Sequence, residues 1–252
     1  MPEILGNIFI HVALVLSLYA VGVSIVGART HRFHLVLSGR NATWGVALLV
    51  FAAVVALEVC LLQGRFHVET VYQYSNSTMP VFYKVAALWG GQNGSLLFWL
   101  AILMLYSTFA VMHAKNRSVE LLPYVTAVLM TIAMFFLLLL VFSANPFKTI
   151  PFSVPDGRGL NPLLQNFYMI IHPPSLYFGY VGMSVPFAFG MAAMITGKLD
   201  NRWIAEVRIW TLIAWFFLSV GNLLGASWSY EVLGWGGDWG WGPVENGAVI
   251  PW

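Results

Sequence analysis

A single cysteine, Cys60, occurs in 252 residues, and it lies inside an apolar run. One thiol excludes an internal disulfide, a Cys-x-x-Cys redox pair and a haem-attaching Cys-x-x-Cys-His motif in this chain. Charge is scarce too: 9% of the residues are charged, where a soluble domain carries about 25%. The net charge of +2 is too small to draw a polyanion, so nucleic acid is not an expected partner. Residues 1–7 contain Glu3 and no Lys or Arg, so they lack the basic start of a cleaved signal peptide. No repeat, low-complexity tract or separate soluble domain is visible.

What is abundant is apolar. Hydrophobic residues make up 59% of the chain and the mean hydropathy is +0.77. Such a chain takes the lipid bilayer as its main solvent. Crossing the hydrocarbon core as a helix requires about 20 mostly apolar residues. Six runs qualify: 8–26, 44–62, 95–112, 121–142, 175–196 and 209–228. One formal charge, Glu58 in the second run, falls within them. Lipid cannot satisfy open backbone groups, so each run is expected to be helical. The expected fold is all-α: a polytopic membrane helical bundle of about six transmembrane helices with ordered outer loops. Residues 1–228 form that bundle, and residues 229–252 form a distinct outer segment.

Basic residues orient the bundle. Loop 27–43 carries Arg29, Arg32 and Arg40, loop 113–120 carries Lys115 and Arg117, and loop 197–208 carries Lys198, Arg202 and Arg208. The alternate loops hold Arg65, Lys84, Lys148 and Arg158, spread over longer stretches. Positive charge stays cytoplasmic. The N-terminus is therefore expected outside, together with residues 63–94, 143–174 and 229–252. The inner loops read as plain connectors. The outer ones are longer and rich in Trp, Gly, Pro and Asn, which is where function concentrates.

The last outer segment is the most unusual. Residues 227–252 hold five of the eleven tryptophans, Trp228, Trp235, Trp239, Trp241 and Trp252, and six glycines. Indoles offer flat faces and one N–H donor. Glycines such as Gly236 and Gly237 let backbone approach a ligand closely. The combination suits a large planar apolar ligand with polar edges, such as a porphyrin. An interfacial aromatic belt also concentrates Trp, but does not call for Trp interleaved with Gly. After the loop, Gly242-Pro243-Val244-Glu245 reads as a helix start. Gly242 is the cap, Pro243 the first helical residue, and Glu245 reaches back to the cap N–H. A short helix along the membrane surface is expected there. Glu245 is either only a cap or, with Asn246, part of a ligand site.

Among six histidines, His172 stands apart. His31 and His34 lie in a basic inner loop, and His113 ends the third span at the inner interface. His67 has no clear partner, and His11 is expected to pack or hydrogen-bond. His172 precedes Pro173-Pro174 and then the fifth span. A residue before proline is pushed out of helical geometry, and proline favours a helix start. His172 is thus expected at the outer mouth of the span, facing the Trp segment, as a candidate axial ligand of haem iron.

Three stretches resemble the CcmF/NrfE family of cytochrome c haem lyases. The first comprises Tyr74-Ser75-Asn76, Pro80, Tyr83-Lys84 and the run Ala87-Leu88-Trp89-Gly90-Gly91-Gln92-Asn93-Gly94-Ser95-Leu96-Leu97. The second is Asn161-Pro162-Leu163-Leu164-Gln165 with Ile171-His172-Pro173-Pro174. The third is the Trp-rich end, which resembles the WWD motif of haem-handling membrane proteins. The resemblance implies haem b held outside the membrane by Trp228, Trp235, Gly236, Gly237, Trp239, Trp241, Pro243, Glu245 and Asn246, awaiting transfer. It implies that His172 is the first of two external iron ligands, the second coming from sequence beyond Trp252, so the chain is expected to be a fragment or one piece of a split protein. It further implies a bacterial inner-membrane location facing the periplasm. Haem would arrive on the chaperone CcmE, and CcmH/CcmI-type subunits would present apocytochrome c, whose Cys-x-x-Cys-His thiols are joined to the haem vinyl groups. The family usually has Asp where Gly242 stands. Two rival readings are a haem exporter, with Glu58 on its route, and a structural assembly subunit gripping a partner through its aromatic loop.

Overall fold

The computed structural model describes residues 1–117, 120–198, 201–232 and 242–252. All six apolar runs are helical, and six helices are long and apolar enough to cross a membrane. The order is α1 (Pro2–Arg29), α2 (Phe33–Leu62), two short helices that do not span, α3 (Glu69–Tyr74) and α4 (Val81–Ala86), then α5 (Gln92–Arg117) and α6 (Leu122–Phe142). The fifth span combines α7 (Phe167–Gly182) and α8 (Ser184–Thr196), and the sixth is α9 (Asn201–Val232), with α10 (Pro243–Val249) beyond it. The chain is a multi-pass membrane protein of all-α class.

The helices outrun the apolar runs. Residues 27–43, expected as a loop, are mostly helix: α1 ends at Arg29, α2 starts at Phe33, and His31 makes the turn with a left-handed φ of 54°. Intrahelical hydrogen bonds satisfy the backbone beyond the hydrocarbon as well as within it, so hydropathy alone does not mark a helix end. Arg40 lies inside α2 with its guanidinium 4.8 Å over the Trp44 ring. Apart from Ile10, the buried face of α1 is made of small residues, Gly6, Ala13, Ser17, Ala20, Ser24 and Gly27. Small residues let membrane helices approach closely and gain dispersion contact. In the fifth span the break between α7 and α8 falls at Met183. Pro186, three residues on, has no N–H to return to the Gly182 carbonyl.

The loops 63–94 and 143–174, both expected outside, are tied to each other. Val68 and Thr149 form an antiparallel bridge, the Glu69 N–H donates to the Lys148 carbonyl (2.8 Å), and the Arg158 N–H donates to the Tyr72 carbonyl (2.7 Å). Asp156 closes the contact. It accepts the Ser77 hydroxyl (2.6 Å), the Ser77 N–H (2.9 Å) and the Gly157 N–H (2.7 Å). These donors, Ser77's first, hold its carboxyl below the usual carboxylate range. Lys84 donates to the Ser77 carbonyl (3.3 Å) beside this clamp. A lowered folded-state pKa contributes stability that is present above the unfolded value and lost as pH falls through the folded one. Protection of the Ser77 and Gly157 amides from hydrogen exchange should therefore hold at neutral pH and weaken below about pH 4. Asp156→Asn should remove that pH dependence; an unchanged profile would show that the clamp does not hold the loops.

Candidate functional site

The site starts from how α7 and α9 touch. A Cβ at Gly179 would lie 2.4 Å from the Leu218 backbone nitrogen, and one at Gly221 would lie 2.9 Å from the Leu176 Cα. The two antiparallel backbones are in direct contact. One turn outward, a Cβ at Gly225 would lie 2.7 Å from Cε1 of His172. The imidazole occupies the space that a side chain at 225 would fill. Its Nδ1 is 2.9 Å from the Gly221 carbonyl oxygen. A carbonyl only accepts, so Nδ1 carries the proton and Nε2 keeps its lone pair. Among the described residues Nε2 has no hydrogen-bond partner. A ring nitrogen held in this way by a backbone carbonyl is the usual support of a metal-binding histidine.

His172 borders a cavity of about 490 Å³ whose other walls include Trp89, Trp99, Tyr180, Trp228 and Pro243. This is the size range of small-molecule and cofactor sites, and the apolar lining with few polar groups is characteristic of them. Trp228 adds a buried indole N–H with no partner among the described residues. A basic ring nitrogen, flat aromatic walls and one spare donor fit a planar apolar ligand that carries a metal and polar edges. No group of three or more His, Cys, Asp or Glu is placed to hold a bare metal ion among the described residues.

The helix start near His172 differs from the expectation. Proline rules place it at the Pro pair, yet α7 begins at Phe167 and contains Pro173 and Pro174. Asn166 is the cap, its side chain accepting the Tyr168 N–H at 2.9 Å. A cap with a satisfied N–H outweighs the preference for starting at proline. The carbonyl that Pro173 leaves open, at Met169, is met by the Trp89 indole N–H at 2.8 Å. His172 thus sits within the helix, in its second turn.

The chain as a whole is similar to known proteins. Residues 89–252 match the family described as cytochrome C assembly protein. The chain belongs to that family. It is 44% identical over its whole length to the cytochrome c-type biogenesis protein CcmF of Pseudomonas aeruginosa, covering 38% of that protein. It is 42% identical to the CcmF of Escherichia coli, covering 39% of it, and 42% identical over 84% of the chain to the NrfE of Haemophilus influenzae, covering 34% of it. The solved structure of a cytochrome c haem lyase CcmF superposes on all of this chain with a TM-score of 0.86 at 34% identity, covering 40% of that protein. The chain therefore spans under two-fifths of the curated relatives' length.

Of the residues expected at the site of this assembly-family chain, the structure brings His172, Trp228 and Pro243 to one cavity. Trp235, Gly236, Gly237, Trp239 and Trp241 lie outside the described residues. Glu245 takes the Gly242 N–H at 2.7 Å, so the expected cap forms although Gly242 replaces the family's usual Asp. Asn246 returns its N–H to the Gly242 carbonyl at 2.9 Å as the first helical bond. The segment after Gly242 folds back along α9. Trp252 donates to the Ser219 hydroxyl at 2.7 Å and stacks on Trp215, inward of the His172 level.

Three other histidines have partners of their own. His11 bonds the Asn7 carbonyl (2.7 Å), His67 pairs with Glu3 (3.4 Å) and His113 pairs with the buried Glu206 (3.1 Å). Glu58 has a buried oxygen without a hydrogen-bond partner among the described residues, and it does not line the cavity. Two features escaped the sequence reading. One is the pair Gly221 and Gly225, a small-xxx-small signal on one helix face. The other is Trp89 as a wall and donor, hidden because its partner is a backbone carbonyl 80 residues away.

Proposed function

We propose that this segment binds haem b on the outer face of the membrane and presents it for covalent attachment to apocytochrome c. The carrying observation is the Nδ1–H bond from His172 to Gly221, which leaves Nε2 as an available iron ligand beside an aromatic cavity. In this reading Trp228 and Pro243, with Trp235, Gly236, Gly237, Trp239 and Trp241, cradle the macrocycle, and Glu245 and Asn246 fix the helix that ends the cradle. Haem is the substrate, and its vinyl groups are the sites of bond formation with the apocytochrome thiols. No nucleophile from this chain is required. The chain's share is iron ligation, orientation and exclusion of water. The family relationship supports CcmE as haem donor and CcmH/CcmI-type subunits as presenters of the apocytochrome. The basic inner connectors support a bacterial inner-membrane location with the cradle in the periplasm. Full-length protein purified from membranes should carry a Soret band and stoichiometric haem by the pyridine haemochrome assay. A colourless, assembly-competent protein would instead favour a structural subunit.

A further inference from the structure

Pro173 creates a specific problem for α7. A proline has no N–H, so the carbonyl four residues earlier loses its helical partner. That carbonyl belongs to Met169, a buried residue, so leaving it open is costly. The structure supplies a substitute from another loop: the Trp89 indole N–H, at 2.8 Å. Trp89 is itself held in place. It ends a 3-10 turn, Ala87–Trp89, its own carbonyl accepts the Ser95 hydroxyl at 3.0 Å, and its ring lies against Phe98 with centroids 5.1 Å apart. The indole thus latches the first outer loop and α5 to the turn of α7 that ends in His172.

We propose that Trp89 is a positioning residue: by donating to the Met169 carbonyl freed by Pro173, it fixes the turn that aims His172 into the cavity. This rests on the ligation reading above. The imidazole has a narrow seat, with Nδ1 on the Gly221 carbonyl and Cε1 against Gly225. A shift of the turn preceding it breaks one contact or collides with the other. The arrangement also explains how Pro173 is tolerated inside the helix, because an outside donor does what its missing N–H cannot.

The test exploits the missing N–H. Trp89→Phe keeps an aromatic wall and removes the donor. Pro173→Ala returns a backbone N–H to Met169. In full-length protein purified from membranes, Trp89→Phe should weaken haem binding about tenfold, the cost of one buried acceptor left open. It should also shift the Soret maximum. Adding Pro173→Ala to Trp89→Phe should restore the wild-type spectrum and bring binding back to within about threefold. Amide exchange offers a readout independent of haem: residues 169–172 should lose protection in Trp89→Phe and regain it in the double variant. Ser95→Ala should give a smaller loss of the same kind in a chain that folds. A double variant no better than Trp89→Phe, or a Trp89→Phe protein with unchanged spectrum and exchange, overturns the proposal. Haem lost in His172→Ala but kept in Trp89→Phe would refute positioning alone. Haem kept in His172→Ala would refute the ligation reading and the positioning with it.

Discussion

Replacing His172 with alanine is expected to lower haem retention at the outer site by more than about tenfold, since losing only the support of a metal ligand costs 10–100-fold. The direction follows from the geometry. Nδ1 is committed to the Gly221 carbonyl at 2.9 Å, so Nε2 is the atom this ring offers to iron. Alanine removes the ligand and leaves a hole over Gly225. Because the relatives are far longer than this chain, haem held elsewhere in a full-length protein would remain, and the difference spectrum between wild type and His172→Ala isolates the share bound here. Exogenous imidazole should enter the hole and restore part of that share. Gly225→Ala should act in the same direction with the ligand still present, since its methyl group would lie 2.7 Å from Cε1 and turn the ring off its carbonyl. Identical haem content by pyridine haemochrome in wild type and His172→Ala would remove His172 from the site.

Gly179→Val is the second substitution with a large expected effect, on stability in place of ligand. Its Cβ would lie 2.4 Å from the Leu218 backbone nitrogen and 2.8 Å from its Cα. Backbone cannot rotate away as a side chain can, so α7 and α9 must separate. Overpacking of this kind costs about 1–3 kcal/mol, and separation also loses the close contacts along the Gly221–Leu176 crossing. For a chain of this size each kcal/mol lowers the melting temperature by about 2–4 °C. The thermal midpoint in detergent should fall by several such steps, and haem should be lost with it because His172 depends on the same contact. Gly22→Ala is the control, since a Cβ there meets nothing within 4 Å. Equal midpoints for the two variants would show that the α7–α9 contact does not hold the bundle.

Hydropathy made the six spans legible because lipid leaves helices no alternative, and the end positions slipped because polar residues such as Arg29 and Arg40 continue a helix as readily as apolar ones. The Gly242–Glu245 helix start was legible because a cap is settled within four residues. The start of α7 was not. Two local signals competed there, the Asn166 cap and the Pro173-Pro174 pair. The outcome depended on whether a distant donor could satisfy Met169. Likewise, His172 stood out by its prolines, while its seat between Gly221 and Gly225 needed the register of α9 against α7, which no local pattern encodes. Glu206 under His113 and Glu3 beside His67 are pairings of the same non-local kind.

By itself, then, the sequence determined the solvent of this protein, its all-α class and its six membrane-length helices. Those properties depend on composition and short-range order, and each residue carries its share regardless of distant partners. Tertiary structure alone decided which nitrogen of His172 is available, what closes the gap opened by Pro173, and that Trp228 and Pro243 share a cavity with them. Each of these is a contact between residues far apart in the chain, and its geometry exists only once the helices have packed.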